Sequence, residues 1–160
     1  PGVPQHVRGD FLRELGAVRA SFDLIVLGQV LAELDPTLDV AERTKRHLEL
    51  LRSLMNKLSE KGALVIVEPA LRDRTRHLHR LRDAIVELPW ANVFAPCVHA
   101  EPCPALAAEG DWCHEDLPVN LPAWLVPTAK AAGLRWEGLT FSYLVLRKDG
   151  VSMRSLVRAS

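Results

Sequence analysis

The chain has 160 residues, with 20 basic and 20 acidic side chains, 48% hydrophobic residues and 25% charged ones. That composition excludes a mainly disordered chain and suits one folded domain. No apolar run approaches the ~20 residues of a membrane-spanning helix, and Pro1 to Arg8 lacks a signal-peptide pattern, so no membrane is expected and a cytoplasmic or organelle-matrix location is.

Phe22 to Gly28, FDLIVLG, is a continuous apolar run ending in glycine, the pattern of a parallel strand buried on both faces. Asp39 and Glu42 form a capping-box start. Leu48, Leu51, Met55 and Leu58 follow at helical spacing, with Gly62 as the expected stop. Ala63 to Glu68, ALVIVE, repeats the strand pattern, so strand, helix and strand make one right-handed crossover between adjacent parallel strands.

Pro69 suits the first turn of a second helix, on which Leu71, Leu78, Leu81, Ile85 and Leu88 keep a 3.6 period as far as Pro89. This helix holds five arginines and two histidines between Arg72 and Asp83, against two aspartates. Arg72, Arg76 and Arg80 share one face by spacing and are candidates for RNA phosphate contact, with a solvated surface as the alternative. Residues 89 to 121 are rich in proline and carry all three cysteines, with no clear period, and something must order so long a stretch. A helical piece over Pro122 to Ala132 and a strand over Leu139 to Lys148 complete the chain.

Alternating strands and helices predict a three-layer α/β sheet. Three strands make it narrow, so either the opening segment, Pro1 to Ser21, adds to it, or the chain is the later part of a larger domain, which is favoured. In such sheets ligands lie beyond the carboxyl ends of strands, which singles out Gly28, Gln29 and Glu33 after the first strand and Glu68 after the second. No Gly-rich phosphate loop, G-x-S-x-G elbow or H-E-x-x-H motif is present.

Cys97, Cys103 and Cys113 have the spacing C-x5-C-x9-C, with His99 and His114 close by. Soft thiolates suit zinc or an iron-sulfur cluster, and a shared metal would order the proline-rich stretch; three unrelated buried thiols are the alternative. Spacing alone leaves zinc and cluster both open, because His99 or His114 would complete a Cys3His site.

Taken in order, FDLIVLGQVLAEL, GALVIVEPALRDRTRHLHRLRDAI, VFAPCVHAEPCPAL, DWCH and FSYLVLRK resemble the second half of the ribosomal small-subunit methyltransferase-like family, whose mitochondrial members act in assembly of the small mitoribosomal subunit. The resemblance implies the C-terminal part of a Rossmann-like class I methyltransferase domain with a Cys-rich insertion at about 89–121, residues 1–160 being one partial domain. Phe22 to Gly28 and Ala63 to Glu68 look like its fourth and fifth strands and Leu139 to Lys148 like its sixth. The donor, S-adenosylmethionine, would lie at Gly28 and Gln29, in a pocket whose Gly-rich loop belongs to a strand upstream of Pro1. The resemblance further implies a 4Fe-4S cluster on Cys97, Cys103 and Cys113, with a fourth cysteine near the end of the domain that this sequence lacks. Where many amino-nitrogen methyltransferases carry N-P-P-Y, this chain has GQVLAEL. Two functions follow: an assembly factor that binds rRNA of the small ribosomal subunit, or an active methyltransferase acting on RNA or another substrate. The implied location is the bacterial cytoplasm or the mitochondrial matrix.

Overall fold

The computed structural model describes residues 15–19, 21–134 and 138–159. Most of the opening segment, from Pro1 to Ser21, therefore lies outside the described residues. The elements are β1 (Phe22–Gly28), α1 (Val40–Met55), β2 (Leu58–Pro69), α2 (Arg72–Val86), β3 (Asn92–Ala95), β4 (Glu115–Pro118), α3 (Val126–Ala131), β5 (Gly138–Arg147) and α4 (Met153–Ala159), with one 3-10 turn at Pro104–Leu106.

β1 and β2 are adjacent and parallel, as the crossover requires, with Leu24 opposite Ala63 and Gly28 opposite Val67. β5 joins the same sheet by pairing antiparallel to β2, for instance Val65 with Val145. β3 and β4 share the outer edge of β5, with β3 against its last residues and β4 against its first. The result is a mixed sheet of five strands in the order β1-β2-β5-β3, with β4 beside β5, consistent with a Rossmann-like fold. The sheet is wider than the sequence indicates because β3 and β4 lie inside the stretch read as irregular. Leu139 to Arg147 belong to β5, which is antiparallel to β2, and Lys148 lies just past its end.

Helix α1 starts as its capping box dictates: Asp39 accepts hydrogen bonds from the backbone N–H groups of Ala41 and Glu42. It ends at Met55, so Leu58 and Gly62 are strand residues and not the close of the helix. Gly62 has a packing reason. A Cβ there would stand 2.9 Å from the carbonyl oxygen of Phe22, so only glycine lets β1 approach this closely, at the irregular register between Phe22 and Leu24.

Leu51 and Leu54 of α1, Leu81 and Ile85 of α2, Leu64 and Ile66 of β2, and Leu144 and Leu146 of β5 form one buried cluster. Each contributes about 1.5–3 kcal/mol by leaving water. Both long helices thus pack on the same face of the sheet, giving two layers among the described residues where three were expected. β1 shows the consequence: Leu27 is buried towards the helices, while Leu24 and Val26, on the opposite face, are 58% and 56% exposed. The expectation of a strand buried on both sides is corrected accordingly.

Candidate functional site

At the carboxyl end of β1, Gly28 and Gln29 are exposed. Gln29 adopts the left-handed region, φ 57°, and its N–H donates to the carbonyl of Val67 at 2.8 Å, which turns the chain sharply off the sheet. A Cβ on Gly28 would meet nothing within 4 Å, so this rim is open. Glu33 is exposed.

Glu68, the strand-end acid of β2, is only 2% exposed. Its two carboxylate oxygens accept the N–H groups of Leu31 and Ala32 at 2.9 and 3.1 Å, fastening the turn that follows β1. Burial pushes its pKa above the usual carboxylate value, and the two backbone donors and Arg74 pull it back. Glu68 is therefore a staple of the site's wall, with its acceptor oxygens already engaged.

The second cluster is the seam between α2 and residues 97–113. Arg76 directs one guanidinium nitrogen at the carbonyls of Ala105, Ala108 and Asp111, at 2.8, 2.7 and 2.7 Å. Arg82, 2% exposed, donates to the carbonyls of His99 and Glu101 and pairs with Asp83 at 2.8 Å. Asp83 accepts the N–H of Cys103, and His79 accepts the N–H of Cys113, each at 3.0 Å. Trp112 donates from Nε1 to the carbonyl of Ala70 at 3.1 Å. Side chains of α2 thus tie residues 97–113 to the helix.

The three cysteines are reduced; Cys97 is half-buried, Cys103 buried and Cys113 exposed. Burial raises the thiols of Cys97 and Cys113, with Arg82 pulling Cys97 back. Among the described residues no set of three His, Cys, Asp or Glu side chains stands at metal-holding spacing. His114 stacks on Trp112, with ring centroids 5.7 Å apart. His99 Nδ1 lies 3.5 Å from Arg82. The donor chemistry suits a thiophilic metal, and the described arrangement is not a preassembled ligand shell.

The third cluster lies between the amino-terminal turns of α1 and α2. Arg43, Arg74, Arg76 and Arg80 line a groove of about 590 Å³. Of the three arginines expected on an RNA-facing stripe, Arg80 lines it, Arg76 lines it while holding the 105–111 backbone, and exposed Arg72 stands 3.9 Å from Asp73 instead. Arg43 and Arg74 were not singled out by the sequence, because helical spacing within α2 says nothing about what α1 places opposite it. Beneath the groove, His47 and His77 form a buried pair, Nδ1 to Nε2 at 2.8 Å.

No helix among the described residues is long and apolar enough to cross a membrane. No curated protein matches the chain. A family model described as "Mitochondrial small ribosomal subunit Rsm22" matches residues 3–158. With nearly the whole length covered, this mixed α/β chain belongs to the Rsm22 family, a methyltransferase-like family of the mitochondrial small ribosomal subunit.

Proposed function

We propose that this chain serves assembly of the small ribosomal subunit by binding its rRNA, acting as the C-terminal part of a Rossmann-like class I methyltransferase domain. Residues 1–160 form one partial domain in this reading, and the mitochondrial matrix, or the cytoplasm of a bacterium, is its location. The observation that carries it is the family match over residues 3–158. The arginines gathered between α1 and α2 add a physical basis, since clustered cations gain from release of the counterions that surround a phosphate backbone. The test is sedimentation of the tagged chain with purified small subunits at rising salt. Co-sedimentation that weakens steeply with salt is expected, and loss of all binding at low salt would refute the reading.

A second reading, an active S-adenosylmethionine-dependent methyltransferase acting on RNA or another substrate, draws on the open rim at Gly28 and Gln29. The donor supplies an electrophilic methyl group; Gly28 and Gln29 would lie against it and orient it. Calorimetric titration with S-adenosylmethionine, followed by transfer of a labelled methyl group to small-subunit rRNA, tests this reading. A 4Fe-4S cluster, with zinc as the alternative, is the cofactor proposed for Cys97, Cys103 and Cys113. No part of the proposed function is routed through it.

A further inference from the structure

The groove between α1 and α2 places cations where a helix by itself disfavours them. Arg72 and Arg74 sit in the first turn of α2, at the positive end of its dipole, where acidic residues are the stabilising choice and Asp73, which also lines the groove, is the one acid. Leu71 at the cap position offers no side-chain acceptor, so the first-turn amides receive no side-chain cap. Across the groove, Arg43 stands one turn into α1. Among the described residues none of Arg43, Arg74 and Arg80 forms an ion pair; the arginine pairs there join Arg46 to Asp35, Arg72 to Asp73, Arg82 to Asp83 and Arg147 to Asp149.

Two buried polar atoms beneath this surface also lack partners: Nε of Arg43 and Nδ1 of His77, the latter on a side chain 5% exposed. Arg43, Arg74 and His77 line one small cavity with Glu68, whose oxygens are already taken by Leu31 and Ala32. Uncapped amides and unpaired guanidinium groups at one place call for an acceptor that carries negative charge.

We propose that this groove is a phosphate-binding site for a single-stranded RNA backbone, with Arg43, Arg74 and Arg80 as its cations. The inference rests on the rRNA-binding reading and deepens it by naming the surface. It also moves the contact off the one-helix stripe of Arg72, Arg76 and Arg80 and onto two helices. Arg76 braces one wall through its bonds to the 105–111 backbone. Guanidinium forks match phosphate oxygens in pairs, which lysine cannot do.

The experiment measures fluorescence anisotropy of a 5′-fluorescein-labelled single-stranded RNA dodecamer between 50 and 200 mM KCl, using the whole chain and checking each variant's fold by circular dichroism. Arg43→Gln/Arg74→Gln/Arg80→Gln should weaken binding at least about tenfold and lower the salt slope by roughly 2, at ~0.7 for each phosphate no longer neutralised. Lys45→Gln/Lys61→Gln, which removes charge outside the groove, should leave affinity within about twofold of the parent, as expected for distant surface charges. Arg43→Lys/Arg74→Lys keeps the charge and the fold; it should retain the slope and lose affinity. If the parent chain binds the dodecamer but the glutamine and lysine groove variants bind equally well, this inference fails and the rRNA-binding reading stands. If the parent chain binds no RNA at 50 mM KCl, both fail. Displacement of the RNA by an equal concentration of a length-matched oligoglutamate would also overturn the proposal, in favour of an acidic protein partner.

Discussion

His47 on α1 lies with its Nδ1 2.8 Å from the Nε2 of His77 on α2, both rings buried and set edge to face at 75°. One nitrogen must donate and the other accept, so the bond requires that His47 and His77 not both be protonated. It ties together two helices that form opposite walls of the basic groove.

This pair predicts an acid-sensitive fold. Burial, then Arg43, His47, Arg80 and Arg74, push His77 down to about 3, and burial lowers His47 despite the opposing charge of Asp35. Between about 6.5 and 3 the unfolded chain binds protons that the folded chain refuses, so stability is present above that window and lost as pH falls through it. Each histidine contributes up to about 1.4 kcal/mol per pH unit, less where water screens the groove rim. Glu68 acts in the opposite sense: its raised value lets the folded chain take a proton before the unfolded one, so acid favours the fold there. Urea unfolding at pH 7, 6 and 5 should show a falling midpoint, and His77→Gln should flatten that fall.

Glu68→Ala should unfasten the turn after β1. It strips the acceptors from the N–H groups of Leu31 and Ala32, both buried, and each orphaned donor costs about 1–3 kcal/mol. Glu68→Gln keeps one acceptor oxygen and should cost about half as much. Hydrogen exchange should speed up at Leu31 and Ala32 in the alanine variant while the amides of α1 stay protected; unchanged exchange would show the staple to be dispensable.

Arg76→Ala should loosen the 97–113 segment without unfolding the sheet. Three carbonyls at 2.7–2.8 Å lose a charged donor, and because the site is partly solvated the net loss is about 2–3 kcal/mol. Limited proteolysis should then cut near Ala108 and Gly110 sooner than in the parent chain. Arg82→Ala should be harsher, since Asp83 then lies unpaired beside the Cys103 amide.

Thiol modification should follow exposure, Cys113 first, then Cys97, then Cys103. Burial holds the Cys97 and Cys113 thiols above the usual range, so both should gain reactivity only in alkaline buffer. Mass spectrometry of iodoacetamide-treated chain across pH 7 to 10 reads the order directly. If zinc, or iron with sulfide, protected all three thiols together until a chelator was added, the shared ligand set expected from the sequence would be established by assembly around the metal.

What the sequence determined by itself is what neighbouring residues decide among themselves. The apolar runs of β1 and β2 and the Asp39 cap of α1 follow from contiguity and from short-range hydrogen bonding, and they were sufficient to make the β1-α1-β2 crossover and its parallel pairing legible. The family was legible in the same way, from contiguous motifs of which VFAPCVHAEPCPAL is the most specific. Tertiary structure alone decided the rest. β3 and β4 have four residues each, too few for a period, and they are strands because β5 offers them a partner edge. Leu58 and Gly62 continue the helical spacing of α1 along the chain, yet pairing with β1 draws them into β2. Where an arginine reaches depends on which distant segment lies within its span: Arg76 meets the 105–111 backbone, while Arg43 and Arg74, from different helices, face one groove. Sequence spacing records a side chain's place on its own helix, and packing decides what stands opposite.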